Sequence, residues 1–281
     1  MEINDMPEDS AKAAKRFRVV RLRSRPKKRR RPRPIEGPKV GFYLLPNLFT
    51  TASLFCGFLA ILKSFDGRFV ASAHLILASI ILDGLDGRVA RLTRTSSEFG
   101  AHFDSLSDLV AFGAAPAVMI YYWALGHFPA PSLAKLVAFG YILCGALRLA
   151  RFNVLIAKTD KDIFVGLPVP AAAGVLLSTL LFFHDMGWAK AGEPAPMPTL
   201  FLIATAALSY LMICDIEYPS FKSINLFRRQ PPIVLVLATF AIAVVVLEPA
   251  KTLFALLLLY ALSGPIWRLL HRSEEEAEGE A

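Results

Sequence analysis

Between residues 42 and 270 the chain keeps returning to apolar runs of the length that crosses a bilayer. They lie near 42–63, 70–91, 103–125, 132–153, 168–185, 197–214, 231–247 and 251–270. A helix rises 1.5 Å per residue, so roughly 20 apolar residues span the ~30 Å hydrocarbon core. The pattern predicts an all-α polytopic membrane protein with about eight transmembrane helices. Composition points the same way: 55% hydrophobic residues and a mean hydropathy of +0.49 are too apolar for one soluble domain of 281 residues. Pro116 and Pro265 fall inside the third and eighth runs, where membrane helices tolerate them. Cys56, Cys144 and Cys214 all sit in apolar runs and imply no disulfide framework.

Charge divides the chain into three parts. Residues 1–41 form a basic tail, read as disordered, with fourteen Lys and Arg between Lys12 and Lys39. The tail has no apolar h-region, so it is not a secretory signal peptide. A span begins straight after it, which favours a cytoplasmic segment held to anionic lipid over nucleic-acid binding. Residues 42–270 form the transmembrane domain, and 271–281 an acidic tail. With the basic tail inside, eight spans put 92–102, 154–167, 215–230 and the C-terminus on the cytoplasmic side. Arg88, Arg91, Arg94, Arg148, Arg151, Lys158, Lys161, Lys222, Arg228, Arg229, Arg268 and Arg272 lie in those segments or at the helix ends beside them. Far fewer, among them Lys63, Arg68, Lys190 and Lys251, face the other way. That is the positive-inside distribution.

Aspartates interrupt this apolar pattern at one place, DGLDGRVARLTRTSSEFGAHFDSLSD, residues 83–108. Asp83 and Asp86 are three apart, and Asp104 and Asp108 are four apart, so each pair shares one helical face. A turn between residues 92 and 103 would pack the two helices antiparallel and converge the carboxylates. Ionisable residues beside membrane spans face polar cavities and mark functional sites. Four bare carboxylates at one point repel each other. Mg²⁺ or Mn²⁺ relieves this by taking oxygen ligands and bridging them to substrate phosphates, and two such ions clamp a phosphoryl group. Gly87 and Gly100 allow close approach of a ligand, and Arg91 offers a planar fork to phosphate oxygens.

The stretch fits the pattern D-x2-D-G-x2-A-R-x8-G-x3-D-x3-D at Asp83, Asp86, Gly87, Ala90, Arg91, Gly100, Asp104 and Asp108. In this it resembles the CDP-alcohol phosphatidyltransferase family. The resemblance implies transfer of a phosphatidyl group from a CDP-linked lipid to an alcohol, with release of CMP. It assigns Asp108 as general base. Asp83, Asp86 and Asp104 are then metal ligands, with Asp108 sharing the second ion. It also implies that Pro46, Asn47 and Thr50, the P-N-x-x-T of the first span, line the nucleotide pocket, and that Ser97 contacts phosphate or ribose. A homodimer in the inner cell membrane, with both termini and the site cytoplasmic, is expected.

Two later segments bear on the alcohol. The fourth span ends GALRLARFNV, with Arg148, Arg151 and Asn153 near the cytoplasmic face. Arginines at a span end are by default positive-inside anchors, yet an amino-acid acceptor needs a cation for its carboxylate. FDSLSDLVAFGAAPA, RLARFN and F-x-G-L-P-x-P together resemble the integral-membrane phosphatidylserine synthases of bacteria. That resemblance implies CDP-diacylglycerol and L-serine as substrates, with Arg148, Arg151 and Asn153 at the acceptor site. Within the family the rival acceptors are glycerol 3-phosphate, inositol and choline. From another class, a cation- or proton-coupled transporter would place carboxylates near mid-membrane in broken helices. Asp215, Glu217 and Tyr218 read as a solvated loop.

Overall fold

The computed structural model describes residues 40–93, 98–156, 166–188, 197–216, 239 and 245–279. Every regular element among them is helical: α1 Val40–Phe65, α2 Phe69–Thr93, α3 Glu98–Asp108, a π-helical segment Leu109–Ala114, and α4 Ala115–Trp123. After a short 3-10 turn, Leu125–His127, come α5 Pro131–Ile156, α6 Val169–Asp185, α7 Pro198–Ile213 and α8 Pro249–Gly279. Among the described residues, five stretches are long and apolar enough to cross a membrane: Asn47–Phe65, Phe69–Val89, Glu98–His127, Pro131–Val154 and Pro249–Arg268. α6 and α7 are shorter apolar helices. The chain is thus a polytopic all-α membrane protein. Most of the run expected over 231–247, and the basic tail, lie outside the described residues.

α1 and α2 bury small polar groups against each other and expose large apolar ones, the reverse of a water-soluble helix pair. On α1, Thr50, Ser53, Ala60 and Ser64 are buried, while Phe55 and Phe58 are half or more exposed. α2 answers with buried Ser72, Ala73, Ile76 and Ser79. The hydroxyls of Ser53 and Ser79 lie 2.7 Å apart, and those of Ser64 and Ser72 2.9 Å apart. Ser72 also donates to the Ala60 carbonyl at 2.8 Å. Small residues let backbones approach, and interhelical hydroxyls hold them where lipid supplies no hydrophobic drive.

α3, the π segment and α4 form one continuous helical run through the middle of the bundle. The π segment begins directly after Asp108, and the Ala115 N–H bonds the Val110 carbonyl in the wide i→i+5 register. Its Ala111 and Phe112 are fully buried. Gly57 of α1 makes this contact possible, since a Cβ there would lie 2.7 Å from the Ala111 Cα. The Tyr141 hydroxyl of α5 donates to the Phe112 carbonyl at 3.3 Å. α6 is buried on nearly every side, as expected of a helix apolar all round. α8 packs along α6, where Gly174 admits the Leu257 side chain.

The residues leading into α6 are pinned to the end of α7. Gly166 N–H bonds the Ile216 carbonyl, and Leu167 N–H the Leu211 carbonyl, both at 2.9 Å. Gly166 has φ +79°, and a Cβ there would lie 2.6 Å from the Met212 carbonyl oxygen. Gly166→Ala is therefore expected to cost about 1–3 kcal/mol from backbone strain alone, before the clash. The thermal unfolding midpoint in detergent should fall further than for Gly67→Ala, a positive-φ glycine with open space around it. Equal midpoints for the two variants would show that the α6–α7 pinning does not matter.

Candidate functional site

The aspartates come from two helices that both pack on α1. α2 carries Asp83 and Asp86 in its last turns, and α3 carries Asp104 and Asp108 one turn apart. One carboxylate oxygen from each of Asp83, Asp104 and Asp108 lies within 4.8 Å of the others. Asp83 and Asp108 stand within hydrogen-bonding reach of each other. Asp86 is 7% exposed and accepts a hydrogen bond from the Thr50 hydroxyl of α1. The Ser107 hydroxyl in turn donates to the Thr50 carbonyl at 3.1 Å. One threonine therefore ties α1 to both aspartate helices.

The expected turn over 92–103 is shorter than the sequence suggests. α2 continues to Thr93 and α3 starts at Glu98. Helix continues where the apolar run ends because charged residues can extend beyond the hydrocarbon into the headgroup region. Ser97 lies outside the described residues. Arg91 lies on α2, its backbone alone described. Gly87 sits one residue after Asp86, and nothing beyond its own stretch of helix stands within 4 Å of the place its Cβ would occupy. Gly100 lies on α3, one turn before Asp104. Asn47 is half-buried on α1, one turn before Thr50.

A divalent cation fits this donor set. All the groups are hard carboxylate oxygens, and the Asp104 Oδ1 is buried without a hydrogen-bond partner. A buried carboxylate oxygen left unpaired is costly. A cation such as Mg²⁺ takes oxygen ligands at about 2.0–2.1 Å and keeps several positions for water and phosphate. The spacing of Asp83, Asp104 and Asp108 leaves room for that arrangement.

The three residues at the end of α5 separate. Arg148 points inward, close enough to Asp108 and to Tyr260 of α8 to interact electrostatically with both. Arg151 turns the other way. It donates to the Asp215 carboxylate and, at 3.5 Å, to the Ile213 carbonyl. Asp215, read from sequence as solvated, holds that ion pair with its side chain 73% exposed. Asn153 donates to the Ser105 hydroxyl at 3.0 Å and accepts from it at 3.2 Å. Ser105 lies between Asp104 and Asp108, so α5 braces the aspartate helix there. Sequence reasoning did not single out Ser105, Ser107 or Tyr260. The two serines carry a weak signal, as hydroxyls inside FDSLSD. Tyr260 carries none, since it stands in an ordinary apolar run.

Residues 43–211 match the family described as CDP-alcohol phosphatidyltransferase. Over 229 residues the chain is 38% identical to a CDP-diacylglycerol–serine O-phosphatidyltransferase of Helicobacter pylori, covering 81% of this chain and 92% of that protein. It is 35% identical over 178 residues to the protein of the same name from Bacillus subtilis, covering 63% and 91%. An archaetidylserine synthase of Methanothermobacter thermautotrophicus is 39% identical over 180 residues, covering 63% and 70%.

Proposed function

This chain belongs to the CDP-alcohol phosphatidyltransferase family, and on that premise we propose that it transfers the phosphatidyl group of CDP-diacylglycerol to L-serine, releasing CMP. The observation that carries the reaction class is the aspartate cluster, in which carboxylate oxygens of Asp83, Asp104 and Asp108 lie within 4.8 Å of one another beside Asp86, on helices apolar enough to cross a membrane. The acceptor rests on relatives named for serine transfer.

Asp83, Asp86, Asp104 and Asp108 would hold two divalent ions, Mg²⁺ or Mn²⁺, which would supply positive charge to the diphosphate and to the departing CMP. Asp108 accepts the proton of the serine hydroxyl. The serine oxygen then forms a bond to the lipid-side phosphorus, and the bond from that phosphorus to the CMP oxygen breaks. Asn47, Thr50, Gly87, Arg91, Ser97 and Gly100 hold the CDP group. Thr50 also fixes the orientation of Asp86. Arg148 faces the acceptor carboxylate. Asn153 supports the acceptor site by bracing the aspartate helix through Ser105, and Arg151 does so from farther off, by tying the end of α5 to Asp215. Catalysis is chiefly positioning and electrostatics.

The site and both termini lie on the cytoplasmic side of the inner membrane. The basic tail lies on anionic lipid, and the working unit is a homodimer. The positive-inside charge distribution supports this orientation.

The test is an acceptor series. Purified protein receives CDP-diacylglycerol and Mn²⁺ or Mg²⁺, with L-serine, glycerol 3-phosphate, inositol or choline added singly, and the lipid product is identified by mass. Phosphatidylserine from the serine tube alone is the expected result. Another phospholipid would keep the reaction class and displace serine. No product with any acceptor from folded protein would return transport to consideration.

A further inference from the structure

The transfer chemistry uses Asp108 and Arg148 but leaves one neighbouring group without a role. Tyr260 lies on α8, beyond residues 43–211 that match the family. It belongs to the inward face of that helix. Leu253, Leu257 and Tyr260 pack against the core beside buried Ala261, while Leu256 and Leu259 are 58% and 64% exposed. In this position it interacts with the Arg148 guanidinium, which also feels Asp108. Arg148 itself is incompletely satisfied. Its Nε is buried and has no hydrogen-bond partner. A buried guanidinium donor calls for an anionic acceptor, and planar carboxylate is the group its fork matches best.

From this we infer that Tyr260 is an acceptor-binding residue, pairing with Arg148 to hold the carboxylate of the incoming amino acid. The inference rests on serine transfer as proposed above. The phenol donates to one carboxylate oxygen while Arg148 N–H groups take the other. The amino acid is thereby held by its carboxylate end, and its hydroxyl is directed toward Asp108. A site built to hydrogen-bond a substrate group rejects analogues that lack it, because its own buried polar atoms are then left unpaired. Tyr260 and Arg148 together thus select a carboxylate-bearing alcohol over neutral ones.

The test compares wild type with Tyr260→Phe, using L-serine and its neutral counterpart serinamide, and measures KM for the acceptor and for CDP-diacylglycerol separately. The variant should raise KM for L-serine by roughly tenfold or more, as expected for a lost hydrogen bond to a charged group. KM for CDP-diacylglycerol should stay unchanged, and the preference for serine over serinamide should shrink by a similar factor. Tyr260→His, which restores a donor, should recover part of that preference even if the change costs some stability. An unchanged KM for serine, or an unchanged serine-to-serinamide ratio, overturns the inference. A rise confined to KM for CDP-diacylglycerol also overturns it, placing the phenol on the lipid phosphate instead. Wild type that shows no serine-dependent CMP release overturns the proposed function and this inference together. Active wild type with an indifferent Tyr260→Phe overturns the inference alone.

Discussion

Asp108→Asn should give a folded protein whose kcat for serine-dependent CMP release is lower by about a thousandfold, within the 10²–10⁴ range of a positioned general base. The substitution keeps the shape of the side chain, so the junction of α3 with the π segment need not move. What it removes is the ability to accept the serine proton, together with one charge of a cluster whose members lie within 4.8 Å. The place of this residue in the fold makes the result diagnostic. Asp108 is the last residue of α3, and the wide π turn after it is locked by Gly57 against Ala111 and by the Tyr141–Phe112 hydrogen bond. A rigid backbone holds the carboxylate where Asp83, Asp104 and Arg148 meet. Unchanged melting behaviour with lost turnover would assign the loss to chemistry. Retained turnover would remove Asp108 from the proton transfer.

The second large effect is metal removal. Protein stripped with a chelator and freed of it should release no CMP, and added Mn²⁺ or Mg²⁺ should restore activity. Binding can be read without turnover, because free Mn²⁺ has an electron paramagnetic resonance signal that is lost on coordination. Asp104→Asn should weaken that binding by at least the 10–100-fold typical of changes to outer-shell partners. The buried, unpaired Asp104 Oδ1 is the reason to choose this position. Ionised Asp104 supplies two acceptor oxygens. A carboxamide in its place would offer one oxygen, plus an N–H₂ donor that repels a cation. Stripped protein with full activity, or Asp104→Asn binding Mn²⁺ as wild type does, would contradict the assignment.

How much of this was legible in the sequence differs by element. α1, α2 and α5 follow their apolar runs to within a few residues, because hydropathy and helix length are set locally. The meeting of Asp83 with Asp104 and Asp108 was also readable, since helical spacing and a short connection leave few other placements, whereas the bond of Asp86 to Thr50 was not. The π segment was not. Nothing in LVAFGA calls for an i→i+5 turn, which arises from packing among α1, α5 and α6. Arg148 and Arg151 are indistinguishable as letters three apart in one helix. Only the fold turns one toward Asp108 and gives the other to Asp215. Tyr260 is more distant still, because an α8 residue meets Arg148 through tertiary packing that no local pattern encodes.

The central claim is that this aspartate cluster moves a phosphatidyl group from CDP to serine. The most direct measurement counts both products in one tube, CMP in the water phase and labelled serine in the lipid phase, from purified protein with CDP-diacylglycerol and Mn²⁺. Equal amounts of the two are expected, both dependent on serine and on metal and both lost in Asp108→Asn. CMP without labelled lipid would mean hydrolysis rather than transfer, and neither product from folded protein would contradict the claim outright.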